Sequence, residues 1–163
     1  MNARGLPILI AEDSEDEAVL LDHALKAIGV ANPVHIVTSG EQVIAYLTGK
    51  REYSDRAMFP LPAVVITDLK MARVSGFELL DWLRRHSRFK IIPTLVFSNS
   101  AEPRDIEHAY ALGANAYLVK PRTMERLEAM MRTTFEFLSW CARAPAPLDS
   151  PCEAPRCAAL AAT

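Results

Sequence analysis

Pro7-Ile-Leu-Ile-Ala11 runs directly into Glu12-Asp13-Ser14. Five apolar residues without alternation read as a strand buried on both faces. Ser14 with Glu17 three residues later is the pattern of a capping box. Ala18, Leu21, Leu25 and Ile28 then recur at helical spacing, and Gly29 ends the run. Strand, acidic turn and helix are thus compressed into the first thirty residues.

The same alternation continues. Residues 34–37 form a second strand, and Ser39 caps a helix that stops at Gly49. Residues 50–62 are a polar, proline-punctuated loop. Residues 63–67 form a third apolar strand, 75–86 a helix, 93–97 a fourth strand, and 103–112 a helix stopped by Gly113. Residues 116–119 form a fifth strand, and Thr123 caps a last helix reaching about Cys141. Parallel neighbours need helical crossovers, so five strands alternating with five helices predict an α/β domain with a parallel sheet. The domain is expected over 1–143. From Ala144 the composition shifts to Ala, Pro and Ser without periodicity, so 144–163 is expected to be a disordered tail.

Composition narrows the function. Half of the 163 residues are hydrophobic and 23% are charged, which requires a packed core. A net charge of −2 argues against nucleic acid or an anionic membrane as an obligate partner. The three cysteines, Cys141, Cys152 and Cys157, all fall near the C-terminal end with no C-x-x-C pair. That argues against a disulfide framework or structural zinc and for a reducing compartment. No signal peptide and no membrane-length apolar stretch is apparent, so a soluble cytoplasmic protein is expected.

In a doubly wound sheet, chemistry sits at the carboxyl ends of the strands. Those ends carry Glu12-Asp13, Asp68, Ser98-Asn99-Ser100 and Lys120-Pro121. Three converging carboxylates repel one another, and a divalent cation removes that conflict. All-oxygen donors without His or Cys select Mg²⁺ or Mn²⁺. A lysine beside such a cluster suits an anionic group with several oxygens, namely phosphoryl. Each residue alone has a blander reading: a helix lead-in, a cap, a surface lysine, a turn hydroxyl. The joint placement on four strands makes the chemical reading the stronger one.

Ile8-Leu-Ile-Ala-Glu12-Asp13-Ser14, Val65-Ile-Thr-Asp68-Leu-Lys-Met71 with Gly76, Ser98 and Tyr117-Leu-Val-Lys120-Pro121 resemble the receiver domain of two-component response regulators. The resemblance spans roughly residues 6–140. It implies a five-stranded flavodoxin-like fold with Asp68 as phosphoacceptor for a sensor histidine kinase. It implies that Glu12, Asp13, Asp68 and the Lys70 backbone carbonyl hold Mg²⁺. Ser98 and Lys120 would contact phosphoryl oxygens, Ser98 and Tyr117 would form the switch, and Lys120-Pro121 would be a cis peptide. The 50–62 loop and Phe135-Glu-Phe-Leu-Ser-Trp140 further resemble single-domain regulators paired with bacterial phytochromes. The sequence departs from the family pattern with Glu12 where Asp is commoner, Ala72 where Pro is frequent, and Asn99 and Ser100 beside Ser98.

These readings exclude others. A haloacid-dehalogenase-type phosphohydrolase needs a second Asp two residues after the nucleophile, and Lys70 stands there. A flavodoxin-like cofactor binder needs a neutral phosphate loop where Glu12-Asp13-Ser14-Glu15-Asp16 is acidic. The alternative within the family is a degenerate receiver acting as a phosphorylation-independent scaffold. With no output domain apparent after Cys141, output would be protein–protein contact or phosphorelay, and chemistry would be limited to self-phosphorylation and self-dephosphorylation. On the last helix, Leu127, Met130, Thr134, Phe137, Leu138 and Cys141 are expected to face the sheet. Met131, Phe135 and Trp140 are then left as a candidate interface for a homodimer.

Overall fold

The computed structural model of the protein describes residues 5–141. The segment expected to be a disordered tail, with Cys152 and Cys157, lies outside the described residues. Strand β1 (Ile8–Ala11) is buried along its whole length. It pairs in parallel with β2 (Val34–Val37) on one side and β3 (Val64–Thr67) on the other. β4 (Thr94–Ser98) and β5 (Ala116–Val119) extend the sheet to the order β2-β1-β3-β4-β5. The chain leaves β1 in one direction to β2 and returns to its other side at β3, so the crevice lies at the carboxyl ends of β1 and β3.

Alternating side chains divide the core. Leu9, Ala11 and Val65 face the layer formed by α2 (Gly40–Thr48) and α3 (Gly76–Arg85). Ile8, Ile10, Val64 and Ile66 face α1 (Glu15–Ala27) and α5 (Met124–Trp140). α4 (Pro103–Ala111) closes a smaller cluster with Leu69, Leu80, Val96 and Ala109.

The helix starts follow the expected caps at Ser14, Ser39 and Thr123, and Ser75, expected as the first helical residue, caps α3. Only Ser75 and Glu78 complete a capping box, with the Glu78 carboxylate accepting from the Ser75 amide at 2.8 Å. At Ser14 half of the expected box forms. Its hydroxyl accepts from the Glu17 amide, while its own amide donates to Glu12 Oε1 at 3.1 Å. The Glu17 side chain is committed elsewhere.

The 50–62 segment is more ordered than a polar loop suggests. It holds a 3-10 helix at Arg51–Ser54, and Phe59 packs edge-on against both Tyr46 and Tyr53, whose rings are tilted to each other. The Arg56 guanidinium donates to the carbonyls of Tyr46, Leu47 and Phe59 at 2.8, 2.5 and 2.9 Å. It satisfies the open carbonyl end of α2. Burial pushes the Tyr46 phenol up to about 12 and lowers His35, which lies between the Tyr46 and Phe59 rings.

α5 corrects the expected face. Met131 is fully buried at 0% exposure and belongs to the core, not to an interface. Phe135 is half-buried against the same cluster, whereas Phe137, expected to face the sheet, is 66% exposed. The helix packs along α1 as well as on the sheet, which rotates its buried stripe onto Leu127, Met131, Phe135 and Leu138. Trp140 alone of the three candidates stands clear, at 84% exposure. Met131→Ala therefore lowers unfolding stability by about 2–5 kcal/mol. Phe137→Ala changes it by about 0.5 kcal/mol or less. Urea unfolding of the two variants checks the assignment of faces.

Candidate functional site

The ladder hydrogen bonds run one residue beyond each strand and set the site residues side by side. The Glu12 amide donates to the Val37 carbonyl at 2.9 Å, that of Asp68 to Ala11 at 3.0 Å, and that of Lys120 to Ser98 at 2.9 Å. Four chain segments far apart in sequence thereby deliver Glu12, Asp68, Ser98 and Lys120 to one edge of the sheet. Glu12, Asp68 and Ser98 are buried, and so is the Lys120 side chain.

The Lys120 ammonium is the centre of the arrangement. Nζ donates to Glu12 Oε2 at 2.6 Å, to Asp68 Oδ2 at 2.8 Å, and to Glu17 Oε2. Its three N–H donors thus meet three carboxylates. Burial alone would lower the Lys120 pKa, but the hydrogen bonds to Asp68, Glu12 and Glu17 outweigh it and hold the group above the usual lysine value. Glu12 moves up from its ordinary value because burial outweighs the help from Lys120 and the Ser14 amide. The Phe97 ring lies 5.5 Å from Nζ and lines one side.

The turn after β3 fixes the Asp68 carboxylate. Oδ1 accepts from the amides of Leu69 at 2.5 Å and Lys70 at 3.4 Å, and the Thr67 hydroxyl donates to the Asp68 carbonyl at 2.9 Å. Gly76 lets α3 start against that turn: a Cβ there would stand 2.2 Å from the Asp68 carbonyl oxygen. With Ala72 in place of a proline the turn keeps an amide donor, and Asp13 Oδ2 accepts from it at 3.3 Å. Arg73 carries the chain through a left-handed conformation, φ 67°.

Ser98 is buried at the end of β4, and its hydroxyl accepts from the Ser100 amide at 3.5 Å. Tyr117 is half-buried and donates through its hydroxyl to the Ser100 carbonyl at 2.9 Å. Burial raises its pKa. Ser100 Oγ in turn donates to Asp105 at 2.5 Å, tying the loop after β4 to α4. The expected cis bond at Lys120-Pro121 is absent, since the described residues contain no cis peptide. The trans form is the lower in energy for an X–Pro bond, and with it Lys120 still pairs with Ser98 in the ladder and reaches both carboxylates.

The structure brings Glu12, Asp68, Ser98 and Lys120 together as the sequence places them. Asp13 stands at the rim, exposed, with its carboxylate on the Ala72 amide. Lys70 turns its side chain to solvent. Glu17 is the residue missed. Its spacing from Ser14 predicts the far half of a capping box, and only the tertiary structure shows its carboxylate on Lys120. One oxygen from each of Glu12, Glu17 and Asp68 lies within 4.8 Å of the others. Hard oxygen donors at that spacing fit a divalent cation such as Mg²⁺.

A doubly wound sheet with buried acids and a lysine at its switch point defines a phosphoryl-handling signalling domain rather than a nucleotide or flavin binder. The chain belongs to the response regulator receiver domain family, whose model matches residues 8–132. It is similar to response regulator RPA3017, which acts in red-light signalling of R. palustris. That structure has 30% identity and a TM-score of 0.79, over 87% of this chain and 98% of the other. The phosphorylated cyanobacterial phytochrome response regulator RcpA superposes with a TM-score of 0.78 at 28% identity, covering 87% and 99% of the two chains. Response regulator Rcp1 of Synechocystis sp. is 29% identical over 77% of this chain and 83% of its own. A Mn²⁺-bound form of response regulator Rcp1 superposes with a TM-score of 0.75, at 28% identity and coverage of 86% and 99%. The fold and family expected from the strand-end motifs are therefore those found, with phytochrome-associated regulators among the relatives.

The close approach at Gly76 has a measurable consequence. Gly76→Ala forces the turn away from α3 and lowers unfolding stability by about 1–3 kcal/mol. Urea denaturation monitored by circular dichroism reads this directly.

Proposed function

We propose that Asp68 accepts a phosphoryl group from the phosphohistidine of a sensor histidine kinase. The observation that carries this is the buried Asp68 carboxylate, oriented by two backbone amides and paired with the Lys120 ammonium at the switch point. A carboxylate oxygen attacks phosphorus, the P–N bond to the imidazole breaks, and the electron pair leaves on nitrogen. Lys120 holds the transferred oxygens by charge. Glu12, Asp13 and Asp68 with the Lys70 carbonyl would hold Mg²⁺, with Mn²⁺ a substitute. That cation supplies neutralisation of the incoming phosphoryl charge. The Mn²⁺-bound form of Rcp1 supports this choice of ion. The scaffold alternative is disfavoured because the acids and the lysine are present and paired.

The phosphoryl oxygens draw the Ser98 hydroxyl, Tyr117 leaves the Ser100 carbonyl and turns inward, and the surface around α4 and β5 is repacked. Signalling then passes by altered protein contacts or phosphorelay. The chemistry is confined to the domain's own acceptor. The similarity to RPA3017 and RcpA supports a phytochrome as the kinase partner. The absence among the described residues of any helix long and apolar enough to cross a membrane is consistent with a cytoplasmic location. The exposed Phe137 and Trp140 at the end of α5 are the proposed contact for a second copy of the chain.

Incubation with acetyl phosphate and Mg²⁺ adds one phosphate to the wild type and none to Asp68→Asn, read by intact-protein mass spectrometry. Equal labelling of the variant overturns the assignment. In sedimentation velocity the wild type at high micromolar concentration runs as a dimer and Trp140→Glu as a monomer. A monomeric wild type, with or without phosphorylation, removes the dimer reading.

A further inference from the structure

Glu17 is the member of the carboxylate cluster that no strand end supplies. It sits in the first turn of α1 with its side chain 37% exposed, at the mouth of the crevice rather than its floor. Its two oxygens are divided. Oε2 accepts from Lys120 Nζ, and Oε1 accepts from Asn99 Nδ2 at 3.1 Å. Asn99 directly follows Ser98 on the loop after β4. A bridge of two hydrogen bonds therefore runs across the crevice from Lys120 through Glu17 to Asn99.

The donor count makes this bridge consequential. Lys120 has three N–H groups and three carboxylate partners, so an arriving phosphoryl oxygen displaces one of them. Asp68 is the acceptor on the reading above, and Glu12 is a buried floor residue beside it. Glu17 is the partner with solvent to retreat into, and its charge gains nothing from the transfer.

We propose that Glu17 is a positioning residue that competes with the phosphoryl group for the Lys120 ammonium. It holds the lysine in the resting state and slows phosphorylation until it lets go. Asn99 holds the carboxylate in that competing position from its other side. The inference rests on Asp68 being the acceptor and concerns how this chain sets its own rate of phosphorylation.

The test is a double-mutant cycle read as the rate of phosphate incorporation from phosphoramidate, at saturating Mg²⁺ and fixed ionic strength. Glu17→Gln keeps an acceptor for Asn99 and removes the charge. It raises the rate on the order of tenfold, the scale of one charge-assisted hydrogen bond. Glu17→Ala gives a similar rise. In a Lys120→Gln background the rate is low, and adding Glu17→Gln leaves it within about twofold, because the competition has no object. Lys120→Met provides a second background if Lys120→Gln does not fold. An unchanged or lower rate in Glu17→Gln overturns the proposal. So does an equal rise in the Lys120 variants, which would mean that Glu17 acts by general repulsion of the donor. Failure of the acceptor assignment is separate and appears as labelling of Asp68→Asn.

Discussion

The Lys120 ammonium is the constraint on which the site depends. It comes from the edge strand β5 and crosses the end of β4 to reach acids delivered by β1, β3 and α1. Surrounded by bulk water such contacts would be worth little. Here the lysine side chain, Glu12 and Asp68 are nearly closed off from solvent, so removing one partner leaves a buried charge unmatched. The three acids also mean that the lysine does not balance them alone. A cluster with this excess of acid fits a divalent cation.

The backbone around Asp68 is shaped to the same end. Two amides fix one carboxylate oxygen, leaving the other for Lys120. The turn that supplies those amides is pinned by α3, which begins at Gly76 with no room for a Cβ. Ser75 and Glu78 close the start of α3 with a reciprocal cap. The local sequence Ser75-Gly76-Phe77-Glu78 therefore helps to place the Asp68 turn through the backbone of α3. On the far edge, Tyr117 of β5, Ser100 of the loop and Asp105 of α4 are joined by hydrogen bonds of 2.9 and 2.5 Å. The Ser98 hydroxyl accepts from the amide of the same Ser100, so the end of β4 and the start of α4 are joined through one residue.

The strands, most helix caps and the acids, hydroxyl and lysine at the strand ends were legible in the residues themselves. Apolar runs of four or five residues ending in Asp, Ser or Lys have one economical arrangement, because parallel strands bring all their carboxyl ends to one edge. Helix starts were legible because a cap is a local hydrogen bond between residues three apart. Where the reading failed, the deciding partner was distant. Ser14 and Glu17 have the spacing of a capping box, but Lys120, 103 residues away, claims the Glu17 carboxylate. Met131 and Phe137 exchange roles because α5 leans on α1 as well as on the sheet. Arg56, inside the 50–62 segment, caps α2 through two carbonyls, Tyr46 and Leu47, and ties its own loop through a third at Phe59, partners that only folding brings to it.

The sequence by itself determined the order of elements, the parallel sheet and the identity of the acids, hydroxyl and lysine at its edge. Each of these follows from periodicity or from a residue's place after a strand, and both are local properties of the chain. The tertiary structure alone decided how the lysine divides its three donors, that Asp13 rests on the Ala72 amide, and that Glu17 joins the cluster. Those are choices among acids of equal chemistry and nearby position. They are settled by packing between elements distant in sequence, and no pattern along a single chain records them.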